Sequence, residues 1–318
     1  MADAFVFFAT DIHGSERCFR KWLNAAAGYG AGVLVLGGDI TGKVIVPVQR
    51  RNGSHVARWR GSEHVLEGPS ALAEFERAVA DAGAYAWHAE PDEAEATFAN
   101  DDASEALFAR LAAERLAHWV ALADERLADS DVKAYVIAGN DDPYDVDEVL
   151  SSGRALVNAD ARVVWIEDWL PMLSLGDSTP TPWKSPREVS EEEYAQRVAR
   201  LADELQDTGS AIFNLHVPPY DSSLDLAPEL DEELRIRYTM AGEPKQAPVG
   251  GRSVREAIER YQPLVGLHGH VHEGRGRAKI GRTVCFNPGS DYQQGVLRGV
   301  LLRVSPKKGV RDFTFTTG

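Results

Sequence analysis

The chain has 318 residues, 34 Lys+Arg against 49 Asp+Glu and a formal net charge of -15. Its length allows a full core in one elaborated α/β domain or two modest ones, and its acidic balance argues against broad electrostatic capture of DNA or an anionic membrane. The only cysteines, Cys18 and Cys285, exclude a disulfide framework and a thiolate cluster that could hold zinc or iron-sulfur.

Five apolar runs set the pattern, each read as a strand that ends on polar residues. Residues 5–10 run into Asp11 and are followed by a helical stretch over 15–27. Residues 33–36 end in Gly37-Gly38-Asp39, and residues 134–138 end in Gly139-Asn140. Later, residues 211–215 end in His216, and residues 264–267 end near His270 and His272. In an α/β sheet the carboxyl ends of neighbouring strands converge on one crevice, so these distant positions are expected to share a site. Between Asp39 and Asn140 lies more chain than a crossover helix needs, so residues 41–131 are read as an insertion in a single domain spanning 1–318. Within it, residues 44–49 and 55–60 flank Asn52-Gly53, the dipeptide that favours a tight hairpin. Leu72, Phe75 and Val79 recur at helical spacing, as do Leu116, Trp119, Val120, Ala123 and Leu127. A hairpin and two helices are thus expected to cap the site. The stretch 220–250, rich in Asp, Glu and Pro, reads as a long loop, and residues 299–303 and 313–316 read as closing strands.

The ligand-bearing segments are Asp11-Ile12-His13-Gly14, Gly38-Asp39, Gly139-Asn140-Asp141-Asp142, Leu215-His216-Val217-Pro218 and Gly269-His270-Val271-His272. Residues two apart at a strand end point to the same side, so Asp11 with His13, and His270 with His272, can each aim inward. Carboxylate, imidazole and amide oxygen form a borderline-hard donor set suited to manganese, iron, zinc or cobalt. The ordered series resembles the calcineurin-like metallophosphoesterase superfamily, with its D-x-H, G-D, G-N-H, H and G-H-x-H pattern, over most of the chain outside the insertion.

That resemblance implies a four-layer α/β/β/α sandwich and two divalent metal ions, manganese favoured. By the same resemblance Asp11, His13, Asp39 and His272 would hold the first ion, and Asp39, Asn140, His216 and His270 the second, with Asp39 as bridge. Two cations about 3.5 to 4 Å apart would activate a bridging hydroxide for in-line attack on a phosphate ester. The segment Asn287-Pro288-Gly289-Ser290 also resembles the family and is expected to buttress the metal loops. Asp141 is the departure: it occupies the place of the family's histidine, which helps bind phosphate and protonate the leaving oxygen. An ionised Asp cannot donate that proton and repels a dianionic monoester more than a monoanionic diester, which favours phosphodiester hydrolysis and makes Asp141 the candidate catalytic residue. Alternatives are a phosphomonoesterase and a catalytically silent metal-binding scaffold.

Asp142 is expected to orient a histidine ligand. His268 is read as a core or supporting histidine, and His118 as an exposed one, off the apolar stripe of its helix. Arg50, Arg51, Arg58 and Arg60 form a basic island on the hairpin, read first as a solvated face and second as a phosphate clamp. A small phosphate ester is the expected partner, with no membrane and no nucleic-acid signal. The apolar run 5–9 is too short for a signal-peptide core, and a cytoplasmic location is expected.

Overall fold

The computed structural model describes residues 2–51 and 53–318. Asn52, half of the expected turn dipeptide, lies outside the described residues; Gly53 beside it has φ +85° between two paired strands. In chain order the elements are β1 (Ala4–Ala9), α1 (Glu16–Tyr29), β2 (Val33–Gly37), β3 (Val44–Arg51), β4 (Ser54–Trp59), β5 (Ser62–Leu66), α2 (Gly68–Asp81), β6 (Ala84–Ala89), α3 (Pro91–Phe98) and α4 (Asp101–Leu127). There follow β7 (Lys133–Ile137), α5 (Val146–Leu150), β8 (Leu156–Asn158), β9 (Arg162–Glu167), β10 (Leu170–Leu175), α6 (Glu191–Ala202) and β11 (Ile212–Leu215). The last part adds β12 (Leu226–Pro228), β13 (Gln246–Pro248), α7 (Arg252–Tyr261), β14 (Val265–Leu267), β15 (Gly276–Ile280), β16 (Thr283–Asn287), β17 (Arg298–Ser305) and β18 (Gly309–Thr317).

Two six-stranded sheets, ordered β18-β17-β1-β2-β7-β8 and β15-β16-β14-β11-β10-β9, carry the fold. The centre of each is parallel: β1, β2, β7 and β8 in the first, β10, β11, β14 and β16 in the second. Strands buried on both faces must be apolar almost throughout, which is why β2 and β10 read as continuous apolar runs. Between the sheets Val6, Phe8, Val35 and Ile137 meet Met172, Ile212, Leu267 and Phe286. The outer face of the first sheet packs against Phe19 and Trp22 of α1 and Trp119 and Ala123 of α4. The outer face of the second packs against Tyr194 and Val198 of α6 and Val254 and Ile258 of α7. The result is the expected α/β/β/α sandwich.

The stretch after β2 holds more structure than a hairpin and two helices. It forms a four-stranded sheet, β5-β4-β3-β6, with a third helix, α3, beside α2 and α4. Val46, Val48, Phe75 and Val79 fill one part of its core, and Tyr85, Trp87, Leu107 and Leu111 another. Helix α4 runs 27 residues and serves two cores: Leu107 and Leu111 belong to this added layer, whereas Leu116 to Leu127 pack on the first main sheet. The stretch 220–250, expected as a loop, carries the two-stranded ribbon β12-β13, prolonged by bridges Leu230 to Ile236 and Tyr238 to Pro244. Among the described residues no helix is long and apolar enough to cross a membrane.

Candidate metal centre

Every candidate ligand lies just beyond the carboxyl end of a parallel strand: Asp11 and His13 after β1, Asp39 after β2, Asn140 after β7, His216 after β11, His270 and His272 after β14. The strands are in register, so main-chain bonds stitch the loops together. Asp11 N donates to Gly38 O (3.0 Å), His13 N to Asp39 O (2.9 Å) and Gly269 N to His216 O (2.8 Å). Four of these residues sit at left-handed φ: Asp11 (54°), His13 (38°), Asp39 (51°) and His270 (64°). Non-glycine residues there cost about 1–2 kcal/mol each, and such strain is retained where a side chain must be aimed. Two glycines make room. A Cβ on Gly139 would lie 2.2 Å from Asp39 Oδ1, and one on Gly38, itself at φ +110°, would lie 2.5 Å from His216 Nδ1.

The side chains converge as two groups that share Asp39. Ligand atoms of Asp11, His13 and His272 lie within 4.8 Å of one another, as do those of Asp39, His216 and His270. Asp39 Oδ1 faces His216 Nε2 at 3.4 Å, while Oδ2 faces His13 Nε2 at 3.7 Å, so its two oxygens address different groups. His13 Nε2 and His272 Nε2 are 3.0 Å apart, and Asn140 Oδ1 is 2.7 Å from His270 Nδ1. All seven expected ligands are therefore in one place. A third group, His13, Asp39 and Asp141, brings Asp141 against the same centre.

Electrostatics here are those of a cation site. Burial opposes ionisation of Asp11, yet His272 and His216 hold its carboxyl down at about 2; Asp39 is also held well below the ordinary range, chiefly by His216 and His13 against burial. Burial depresses His13 to about 3 and His270 to about 4, which keeps both imidazoles neutral and able to donate a lone pair. Burial also disfavours charge on His216, but Asp39 and Asp11 prevail and raise it to about 10. Two buried carboxylates thus call for a cation, which an imidazolium or a metal ion can supply. The hydrogen bonding of His216 fits a metal. Its Nδ1 lies 2.8 Å from Gly37 O, and a carbonyl only accepts, so Nδ1 carries the proton and the lone pair is on Nε2. That Nε2 is buried without a hydrogen-bond partner, as is His13 Nδ1. An orphaned buried nitrogen between two carboxylates is suited to donate to a metal ion.

Supporting residues depart from expectation at Asp142. It does not orient a histidine: it accepts from the main-chain N–H of Ile40 (3.0 Å), Thr41 (2.8 Å) and Gly139 (2.7 Å) and from Thr41 Oγ1 (2.6 Å). It thereby pins the turns on either side of the Asp39–Gly139 contact. Burial, then Asp39, pushes its carboxyl up to about 6, and its donors pull the other way. Asn287 does buttress: Nδ2 donates to Gly269 O (3.1 Å) and Val271 O (2.9 Å), and Ser290 Oγ donates to Asp11 O (2.6 Å). His268 is buried, with Nδ1 2.8 Å from Leu215 O, and supports β11 from the core. His118 is exposed and pairs with Glu16. In the basic island Arg58 pairs with Glu63, and Arg60 stacks on Trp59 and donates to Gln293 O, beside the His272 loop.

Three contributors belong to no motif. Lys43, four residues after Asp39, pairs with Asp141. Ser185 Oγ donates to Asp141 Oδ1 at 2.6 Å, as does Asn140 Nδ2 at 2.9 Å. Burial and Asp39 push the Asp141 carboxyl up, against Lys43 and Ser185. Arg115 of α4 donates to Gly14 O at 2.6 Å, bracing the loop that carries Asp11 and His13. Of the three only Arg115 leaves a trace in the sequence, as a basic residue amid an apolar helix stripe.

No family model matches the chain. It is 31% identical over 169 residues to uncharacterized protein MJ1162 of Methanocaldococcus jannaschii, a match covering 52% of this chain and 68% of that protein. Among solved structures it is similar to TT1561 of Thermus thermophilus, with a TM-score of 0.56 and 12% identity over 100% of this chain and 99% of that one. A 5′-nucleotidase precursor from the same organism aligns with a TM-score of 0.42 and 11% identity over 99% of this chain and 54% of that one. At 12% identity the likeness to TT1561 is one of fold.

Proposed function

We propose that the chain is a dinuclear metal-dependent phosphoesterase of the calcineurin-like type acting on phosphodiesters, a reading supported by its α/β/β/α fold and its ordered D-x-H, G-D, G-N, H and G-H-x-H segments. The observation that carries this reading is Asp39, whose two oxygens face different histidines, Oδ1 His216 and Oδ2 His13, each belonging to its own cluster of donor atoms. Asp11, His13, Asp39 and His272 would hold one divalent ion, and Asp39, Asn140, His216 and His270 the other, with manganese the first metal to try. Ions held there would supply Lewis-acid activation of water and of the phosphoryl oxygens.

The protein's own part is positioning and charge. Asp141 receives three donors, from Asn140, Ser185 and Lys43, so in this arrangement it acts as an anionic anchor and not as a proton donor. Lys43 is held by that anchor where its ammonium can meet a phosphoryl oxygen. Asp141 and Lys43 together add no net positive charge where a dianionic phosphate would need one, which supports a diester over a monoester. The reading is tested by comparing bis(4-nitrophenyl) phosphate with 4-nitrophenyl phosphate on the manganese-loaded protein. A higher kcat/KM is expected for the diester, with Asp141→His narrowing the gap. Preference for the monoester in the parent would overturn the diester assignment, and no turnover of either with both metals bound would overturn the enzyme itself.

A further inference from the structure

We infer that the cavity beside Asp141 binds an aromatic, uncharged substituent of the substrate, so that the ester carries a flat apolar group and no second anion on that side. The inference rests on the phosphoesterase reading and deepens it.

The cavity measures about 630 Å³ and is continuous with the candidate metal centre through Lys43 and Asp141, which line its inner end. Its other lining includes Ile45 of β3, Phe98 of α3, Phe108 of α4, Tyr144 from the loop after Asn140, and Pro186. Phe98 is 44% and Tyr144 58% exposed, and both line this one cavity together with Phe108, so the apolar exposure is contiguous and not scattered.

These rings are held in place from behind. Phe98 packs edge-on against Trp87, with centroids 6.0 Å apart, and Phe108 edge-on against Tyr85 at 5.7 Å. The Arg187 guanidinium lies 4.8 Å from the centre of the Tyr144 ring, is almost fully buried, and donates to Asp142 O and Pro143 O at 2.8 Å each. The wall is therefore pre-organised for a flat group, which lowers the entropic cost of binding one. The layer itself is tied to the site, since Gly42 N, next to Lys43, donates to Tyr85 Oη at 2.8 Å. Charge narrows the occupant further. Glu105 and Asp145 line the same cavity, so once Lys43 is engaged with Asp141 or phosphate, a second anion would meet two carboxylates.

The test is calorimetric titration of the manganese-loaded full chain at about pH 6, where each phosphonate head group is chiefly a monoanion as a diester is, with methylphosphonate, phenylphosphonate and 4-carboxyphenylphosphonate, which differ in what enters the cavity. Phenylphosphonate is expected to bind at least tenfold tighter than methylphosphonate, and the 4-carboxy group to erase most of that gain. Phe108→Ala and Tyr144→Ala should bring phenyl and methyl within about twofold while leaving methylphosphonate unchanged, and Glu105→Gln should recover part of the 4-carboxyphenyl affinity. Should Phe108→Ala unfold the layer, Ser104→Trp, which fills the cavity from an α4 surface position, should block phenylphosphonate selectively. Equal binding of phenyl and methyl ligands by the parent overturns the inference, as does equal loss of both in Ser104→Trp. The underlying reaction fails separately: a phenyl preference in a protein that hydrolyses no ester removes the enzyme and keeps the cavity's occupant, whereas ester hydrolysis with no phenyl preference does the reverse.

Discussion

The loops that gather the candidate ligands and the layer that covers them are built on opposite principles. Each ligand loop leaves a parallel strand buried on both faces and is cross-linked to its neighbours by main-chain bonds, and four of the ligands are aimed from left-handed backbone. The added layer of β3 to β6 has its own small core, open edges and half-exposed aromatics, and it reaches the site through a handful of contacts such as Tyr85 to Gly42 and Arg60 to Gln293. Rigid strand ends are suited to holding a geometry within tenths of an ångström, whereas a layer with a core of its own can vary its lining without disturbing the chemistry. On the proposed reading the first region would hold the metal ions and the second would choose the substrate.

Substitutions in the two regions should then fail in different ways. Asp39→Asn should have the largest effect: metal per chain falls at both sites, and activity falls by more than the roughly 10–100-fold that loss of an outer partner costs. Metal analysis beside kcat decides it, and a variant that keeps both metals would break the bridging assignment. Gly139→Ala comes next, because its methyl would sit 2.2 Å from Asp39 Oδ1. A loss of about 10–100-fold in metal affinity is expected, by the reasoning that applies to groups that position ligands. Tyr85→Phe leaves the buried Gly42 N–H without its partner, at a cost of about 1–3 kcal/mol in urea unfolding. It should raise KM while the metal content stays at the parent's value, and a fall in metal content would erase the distinction between the regions. Arg51→Ala, at the exposed end of β3, should change stability by less than about 0.5 kcal/mol and leave KM alone. A large rise in KM there would instead make the basic island a phosphate clamp.

The ligands are legible because each combines a rare residue type with a position just after an apolar run, and because D-x-H and G-H-x-H use the two-residue repeat of extended chain. The same logic does not reach the role of Asp142, whose partners are three backbone amides and the Thr41 hydroxyl: nothing in the identity of Ile40 or Gly139 announces that their N–H groups share one carboxylate with Thr41. Strands β5 and β6 escape it too. Their runs, Ser62–Leu66 and Ala84–Ala89, flank no Asn-Gly dipeptide of the kind that marks β3 and β4, and the pairing of β6 with β3 joins segments far apart along the chain.

The order of motifs along the chain, the apolar runs that precede them and the chemical nature of the donor set follow from the amino acids alone, since strand burial and ligand chemistry are local properties. The distances that gather two groups about Asp39, a partition the family resemblance only implied, the pairing of Asp141 with Lys43, and an aromatic cavity assembled from α3, α4 and the loop after Asn140 were decided only by the tertiary structure. Each of these depends on distances between separate segments, up to 259 residues apart for His13 and His272, which packing sets and sequence spacing does not encode.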